Sequence, residues 1–362
     1  MEIVKNQHWN QMICDINPLV NSSHPFFISE SSPPSYVIPN GFYCIIYHPV
    51  SLNNQEGIKP SKKTKEKIIK FIENHNCINN NVTELTMESL DRFLSTPSFL
   101  GVLFKEKEIV GTILTLLFRV QYNDLNIITS YTTFLCIHQT YRNKGFAMIL
   151  IRSIMKEGYY KYNCKHGYYL TFNTHHNINS KINSWYRPIN IKKSLTAGFT
   201  LQTFNSELKQ KIFYYIPKPK LLPIKVNYEH FDLVLKIFQL KKNSFCLSPT
   251  KQELKWLCDC FDVYIVGSDG LFILFPMVSK ITSTGRKVYI AHLTLMIGDV
   301  IQEALWIAKE NNYDLLYGWC SGDITFNRIE TIKGLITTAN CYIEFYNCKR
   351  LINNFDMFVP IF

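Results

Sequence analysis

The sequence predicts an α/β (α+β) protein built as two successive halves, each with a mixed, mostly antiparallel sheet flanked by helices. Three observations carry this reading. Segments rich in β-branched and aromatic residues alternate with segments whose apolar residues recur at helical spacing. A connector with three prolines, Tyr214 to Pro223, interrupts the chain where no regular element can form. The order of strands and helices before that connector is echoed after it, although the two stretches are not alike in sequence. At 362 residues, with 46% hydrophobic content, the chain is long enough for two ordinary domains or one large core.

Taken in order, residues 1–60 are loop-rich, with His8-Trp9-Asn10, Ser32-Pro33-Pro34 and Ile38-Pro39-Asn40-Gly41-Phe42. Lys63–Asn74 places Ile68, Ile69, Phe71 and Ile72 on one side and predicts an amphipathic helix; Thr86–Leu94 predicts a second, shorter one. Strands are expected at Phe99–Phe104, Ile109–Val120, Asn126–His138 and, after a helix near Ala147–Met155, at Gly167–Thr174. Beyond the connector, Glu229–Leu240 is amphipathic, and Thr250-x-x-Glu253 is a capping box opening a helix through Leu257. A hairpin turn falls at Ser268-Asp269-Gly270. Val288–Leu295 and Tyr313–Trp319 read as strands around a helix at Asp299–Glu310; a helix at Ile324–Leu335 and strands at Cys341–Tyr346 and Phe358–Ile361 follow.

Composition narrows the function classes. No apolar run approaches the length of a membrane span and the start lacks a signal-peptide pattern, so the expectation is a cytoplasmic protein without an integral membrane segment, a monomer. Eleven scattered cysteines make no disulfide framework; Cys258-x-Cys260 has no matching ligands, and no metal site is expected. The formal charge of +11 is spread along the chain rather than striped, which speaks for an anionic cofactor over nucleic acid. No Ser-His-Asp order, HExxH, P-loop or CxxC pair is present, and Cys136 reads as a buried thiol rather than a nucleophile. His175-His176 has no third ligand nearby and reads as a polar loop.

The chemistry concentrates in Tyr131–Lys156, a strand, a basic turn and a helix. Arg142-Asn143-Lys144-Gly145-Phe146-Ala147 sets small residues at Gly145 and Ala147 where a ligand could approach the backbone. The free N–H groups of the opening helix turn then face an anion, with Arg142 and Lys144 adding charge. A solvated basic turn at a helix start would look the same. The flanks add information: Phe134-Leu135-Cys136-Ile137-His138, then Leu150-Ile151-Arg152, then Ser184-Trp185-Tyr186-Arg187-Pro188-Ile189-Asn190-Ile191-Lys192-Lys193 and Gly198-Phe199. In order and separation these segments resemble the glycylpeptide N-tetradecanoyltransferase (N-myristoyltransferase) family, of which this chain would be a divergent member.

That resemblance implies two tandem acyl-CoA N-acyltransferase (GNAT-like) halves: an arm over the acyl-CoA at 1–60, an acyl-CoA-binding half at 61–216, a Pro-rich linker at 217–224, and an acceptor-binding half at 225–362. It implies transfer of a myristoyl group from myristoyl-CoA, a co-substrate rather than a tightly bound cofactor, to the N-terminal glycine of a protein or peptide. A chain of about a dozen methylenes at about 0.8 kcal/mol each would offer roughly 10 kcal/mol of donor binding. The resemblance places the oxyanion donors at the backbone N–H groups of Phe134 and Leu135, where the strand would bulge from its neighbour. The coenzyme phosphates would lie against His138, Arg142, Asn143, Lys144, Gly145, Phe146 and Ala147. The acceptor pocket would hold Thr133, Tyr169, Leu170 and Thr171. The carboxylate of Phe362 would be the base; the other reading of the apolar end Phe355–Phe362 is that it merely finishes a sheet. The acceptor side departs from the family pattern, with Thr133 for its Asn, Tyr186 for a His, Leu335–Asn340 for a Gly-rich segment, and a short uncharged stretch at Asn74–Asn81. Two alternatives stand beside this reading: a short-chain acyltransferase acting on another amine, and a binding protein for acyl-CoA or a lipidated peptide that has lost turnover.

Overall fold

The computed structural model describes residues 37–50, 57–75, 77–78, 81–122, 124–171, 179–199, 201–241, 244–281, 285–325, 331–346, 352 and 356–361. Within them one mixed sheet runs through the molecule. Its strands in chain order are β1 (Phe42–Tyr47), β2 (Cys77–Ile78), β3 (Asn81–Glu84), β4 (Ser98–Lys105), β5 (Glu108–Tyr122), β6 (Leu125–Ile137), β7 (His166–Thr171) and β8 (Asn179–Pro188). They continue with β9 (Ile224–Lys225), β10 (Phe245–Leu247), β11 (Asp262–Val266), β12 (Gly270–Ile281), β13 (Lys287–Ile297), β14 (Leu315–Trp319), β15 (Ile336–Tyr346) and β16 (Met357–Phe358). The helices are α1 (Lys62–His75), α2 (Met87–Leu94), α3 (Phe146–Tyr162), α4 (Ile191–Thr196), α5 (Glu207–Phe213), α6 (Phe231–Gln239), α7 (Lys251–Cys260) and α8 (Ile301–Glu310).

The same unit occurs twice. In the first half β5 and β6 form an antiparallel hairpin, α3 crosses over, and β7 lies parallel to β6. In the second, β12 and β13 form the hairpin, α8 crosses over, and β14 lies parallel to β13. The halves are laced together by exchange: β15 of the second pairs with β7 of the first, and β8 of the first pairs with β14 of the second. β8 and β15 also pair with each other, closing the centre of the sheet.

Residues alternate between the two faces. Tyr131, Tyr168, Cys341, Ile343 and Phe345 share one large core with α1, α2, α6, α7 and the terminal segment Met357–Ile361. On the other face α3 packs Phe146, Ile149, Leu150 and Ile154 against Phe99, Ile113 and Leu117. There α8 packs Ala304, Leu305 and Ala308 against Phe272, Leu274 and Leu293. α3 stops where Asn163 takes a left-handed conformation at φ 52, its N–H donating to Tyr159 at 2.9 Å while that of Cys164 reaches Gly158 at 3.0 Å. The expected capping box opens α7: Thr250 Oγ1 accepts from Glu253 N at 3.2 Å, and Glu253 Oε2 from Thr250 N at 2.7 Å.

The helix expected over Ile324–Leu335 is not found at Ile324, Thr325 or Thr331–Leu335; the five residues between lie outside the described set. Thr325, Thr331 and Ile332 are β-branched, and Gly334 takes φ 73, so a spacing of apolar residues compatible with a helix loses to low propensity and a turn. β1 and β8 were not expected as strands, nor α4 and α5 as helices. β1 pairs with β4 from Phe42↔Lys105 to Tyr47↔Leu100. β8 contains the Ser184–Pro188 motif, its proline at the strand end where a missing donor is tolerated. The strand expected through Thr174 is described to Thr171, and the last one is short, with Val359–Ile361 irregular.

Candidate functional site

The chemistry-bearing turn sits where the first half opens. Pairing of β6 with β7 runs from Thr129↔His166 to Thr132↔Tyr169 and then ends, although β6 continues to Ile137. On its other side β6 breaks register with β5 between Thr112↔Cys136 and Leu114↔Thr133, so that Phe134 and Leu135 together oppose Ile113. This is a β-bulge, and Phe134 takes φ 49, a left-handed conformation costly for a bulky side chain. Thr112 Oγ1 donates to Phe134 O at 3.4 Å across it. Thr132, Thr133, Phe134 and Leu135 are half-buried in the middle of an otherwise buried sheet, the signature of a strand that borders a gap.

A short 3₁₀ turn, Gln139–Tyr141, then leads into α3. Gly145 caps the helix at φ 81, where a β-carbon would be strained though, among the described residues, it would meet nothing within 4 Å. No acidic residue occupies the first turn of this 17-residue helix, so its positive end is not neutralised from within. Asn143 and Lys144 are exposed beside it, Ala147 is half-buried and Phe146 buried. The Lys144 and Lys105 ammonium groups lie 5.9 and 5.7 Å from the Tyr141 ring.

Arg142 is a brace as well as a charge. Its Nε donates to Ile137 O at 3.0 Å and a terminal nitrogen to His75 O at 2.8 Å, tying the turn to the end of α1. That brings in a residue the sequence did not suggest. The His75 ring lies 4.5 Å from that of His138, whose Nδ1 accepts from Thr140 N at 3.3 Å. His75 is held below its ordinary pKa of 6.5 by burial first, then by His138 and Arg142. The positive charge that adds to burial in holding His75 below that value marks a spot where an anion would be welcome.

Around the fork the side chains divide by face. Tyr168 points into the core shared with the terminal segment, and its hydroxyl donates to Pro360 O at 3.0 Å. Ile361 N donates to Thr294 O at 3.2 Å, and Met357–Ile361 are all buried. Phe362, expected to carry the base, lies outside the described residues. Tyr169, expected in the acceptor pocket, points the other way: its hydroxyl donates to Glu344 Oε2 at 2.5 Å, and burial followed by the Glu344 charge raises its pKa far above the ordinary tyrosine range. Leu170 and Thr171 follow it, half-buried and paired with Ile343 and Tyr342 of β15. Glu344, fully buried, is the second residue that sequence reasoning missed, because a single acid within the apolar run Cys341–Tyr346 gave no motif. Cys136 is buried with its thiol pushed up to about 11 by burial, which leaves it unreactive.

A hairpin–helix–strand unit that occurs twice in one chain, each with a bulged strand beside a fork and the two laced by exchanged strands, is the tandem acyl-CoA N-acyltransferase fold. More particularly, it is the fold of N-myristoyltransferase. The structure is similar to that of Saccharomyces cerevisiae N-myristoyltransferase with bound myristoyl-CoA, at a TM-score of 0.75 and 15% identity, over 96% of this chain and 94% of that one. A second myristoyl-CoA complex of the yeast enzyme gives 0.76 and 15% over 96% and 89%. A complex with myristoyl-CoA and inhibitors gives 0.74 and 14% over 99% and 97%. No family model matches the sequence, and no curated protein matches it.

Proposed function

We propose that this protein is a divergent N-myristoyltransferase: an acyl-CoA N-acyltransferase whose donor is myristoyl-CoA and whose acceptor is the N-terminal glycine of a protein or peptide. The observation that carries the reading is the open helix start at Gly145, flanked by Arg142 and Lys144, directly beyond the bulge at Phe134–Leu135. An anion-binding end and a displaced stretch of strand backbone lie within one continuous segment, as a phosphate-tailed thioester requires.

In this mechanism the coenzyme pyrophosphate lies against the N–H groups opening α3, with Arg142, Lys144 and His138 around it. The fork between β6 and β7 takes the extended part of the coenzyme. The N–H groups of Phe134 and Leu135 face the thioester oxygen. The acceptor ammonium gives one proton to the carboxylate of Phe362, and the neutral amine adds to the carbonyl carbon; the C–S bond then breaks, and the leaving sulfur takes the second proton that the nitrogen sheds as the amide forms, so the coenzyme departs as its thiol. Pro360 is tied to Tyr168, one position from the end of the β6–β7 pairing. A buried terminal carboxylate would be a stronger base than an exposed one, because burial disfavours its charge. Thr133, Leu170 and Thr171 border the acceptor. Tyr169 borders it through its backbone, its side chain being committed to Glu344.

Incubation of the pure protein with radiolabelled acyl-CoAs of graded length and Gly-starting peptides tests this. The expected product is a peptide carrying the myristoyl group on its α-amine, with shorter donors used less well. Tight acyl-CoA binding without product on any glycine peptide would sink the transferase reading. Preference for an acetyl donor would sink the assignment of a long chain.

A further inference from the structure

The molecule carries a second surface with no part in acyl transfer. Among the described residues, half of the large hydrophobic side chains that stand exposed fall between Leu195 and Ile224. Leu208 and Ile212, one helical turn apart on α5, are each 66% exposed, as is Tyr215 just beyond. Leu221, Leu222 and Ile224, also exposed, follow in the connector to β9, the edge strand of the sheet. The stretch from Lys192 to Lys225 also holds seven lysines, a single carboxylate (Glu207) and no arginine, a local excess that the reading of the charge as evenly spread overlooked; Lys193 and Lys225 are paired with Asp314 and Asp262 and Lys211 with Glu207, which leaves Lys192, Lys209, Lys218 and Lys220.

These residues are not spare parts of the core. The other side of α5 is anchored by Phe213 on Phe204 at 5.0 Å and by Tyr214, which lies under the Arg187 guanidinium at 4.8 Å and donates to Gln202 O at 3.2 Å. With that side satisfied, Leu208 and Ile212 are displayed on a fixed platform. Lys192 acts on Glu207 together with Lys211, placing the start of α4 beside α5, and Lys309 lies 5.7 Å from the Tyr215 ring. Apolar tips thus rise from a lysine lawn.

We infer that this face docks on an anionic phospholipid bilayer. Charge complementarity selects the partner's sign, and the aliphatic tips select its kind: lysines reach phosphates and carboxylates of the headgroups while leucine, isoleucine and tyrosine enter the interface. RNA would use arginine and stacking rings rather than exposed leucines. The inference is independent of the acyl-transfer reading, since it uses none of that site's residues.

The test is sedimentation of the full chain with vesicles of phosphatidylcholine alone or of equal parts phosphatidylserine and phosphatidylcholine. Binding is expected to the mixed vesicles at least about tenfold tighter than to the neutral ones, and to fall as salt is raised. Leu208→Ser with Ile212→Ser should weaken it about tenfold, and Lys209→Gln, Lys211→Gln, Lys218→Gln and Lys220→Gln together by at least as much. Unchanged melting temperature checks that both variants fold. Equal binding to both vesicle types, no binding to either, or loss on the lysine variant alone overturns the proposal. Oligouridylate binding that the lysine variant loses, with vesicles ignored, overturns it in favour of RNA.

Discussion

The two forks of this molecule share a plan and differ in what fills them. Each follows a hairpin with a bulge, at Phe134–Leu135 in β6 and at Thr294 in β13, and in each a threonine hydroxyl donates to a carbonyl across it. Each is followed by a glycine in the left-handed region, Gly145 at φ 81 and Gly298 at φ 82. In the second fork the bulged Thr294 carbonyl accepts the N–H of Ile361, so part of the opening is taken by the protein's own terminal segment. There the helix start is also answered from within: Gly298 N donates to Asp323 Oδ2 at 2.7 Å, and Glu303 sits in the first turn of α8. The first fork has cations instead of carboxylates at its helix start. The same backbone device is answered by carboxylates in one half and, in the other, stands beside cations with no acidic residue in its first turn.

The largest way to break that contrast is to disturb the segment that fills the second fork. Appending a few residues after Phe362 should leave acyl-CoA affinity unchanged while lowering kcat by about 10²–10⁴, the range a displaced general base covers. Isothermal titration and a turnover assay read the two quantities separately. Full activity in the extended protein would remove the carboxylate from the mechanism.

Next comes Gly145→Asp, which gives the first helix start the electrostatics of the second. A carboxylate at the pyrophosphate position, together with a side chain forced to φ 81, should weaken myristoyl-CoA binding by about a hundredfold or more, from charge repulsion at a helix start plus about 1–2 kcal/mol of backbone strain. Gly145→Ala carries the strain without the charge. A comparable loss in both variants would mean that conformation, not an anion site, explains the glycine.

How far this was legible in the sequence follows from how local each feature is. The β6–turn–α3 unit could be read because its signals lie within thirty residues: a β-branched strand, a small residue among basic ones, and an apolar helical repeat. The capping box of α7 was legible for the same reason. The exchange of β8 and β15 was not, because register between distant strands leaves no local trace. Nor was the meeting of His75 with His138 and Arg142, which joins the end of α1 to a turn more than sixty residues on. Residue type alone did not show how Tyr168 and Tyr169 divide between the faces of the sheet; strand alternation turns Tyr168 to the terminal segment and Tyr169 to Glu344.

Asp323→Ala should have a smaller effect, on the second fork alone. The residue accepts from Gly298 N and from Lys241 Nζ at 2.9 Å, and Lys241 in turn lies 4.6 Å from the Phe358 ring. Losing a mostly buried acceptor leaves a backbone donor and an ammonium short of a partner, at a cost of about 1–3 kcal/mol in unfolding free energy. Because the released ammonium lies against Phe358 of the terminal segment, turnover should fall while acyl-CoA affinity stays. Weakened coenzyme binding would show that the two forks are not independent.

The smallest expected change is a titration. His75 sits below 6.5 because burial, His138 and Arg142 all disfavour its charged form. Arg142→Gln removes one of the two cationic causes and leaves the burial, so the His75 pKa should move upward, toward but not beyond 6.5, as followed by its ring proton shifts in NMR. The sign is opposite to that of a residue that loses a favourable partner, which makes it diagnostic. A phosphate-bearing ligand at the mouth of the first fork should produce the same upward movement in the parent, since an anion there favours the imidazolium. Coenzyme A without an acyl chain is therefore the informative addition: it carries the phosphates and lacks the apolar tail. An upward shift with coenzyme A in the parent, largely lost in Gly145→Asp, ties the histidine to the same anion site as the helix start. A His75 pKa that ignores coenzyme A would place the phosphates elsewhere and leave the cations of the first fork without the role argued for them.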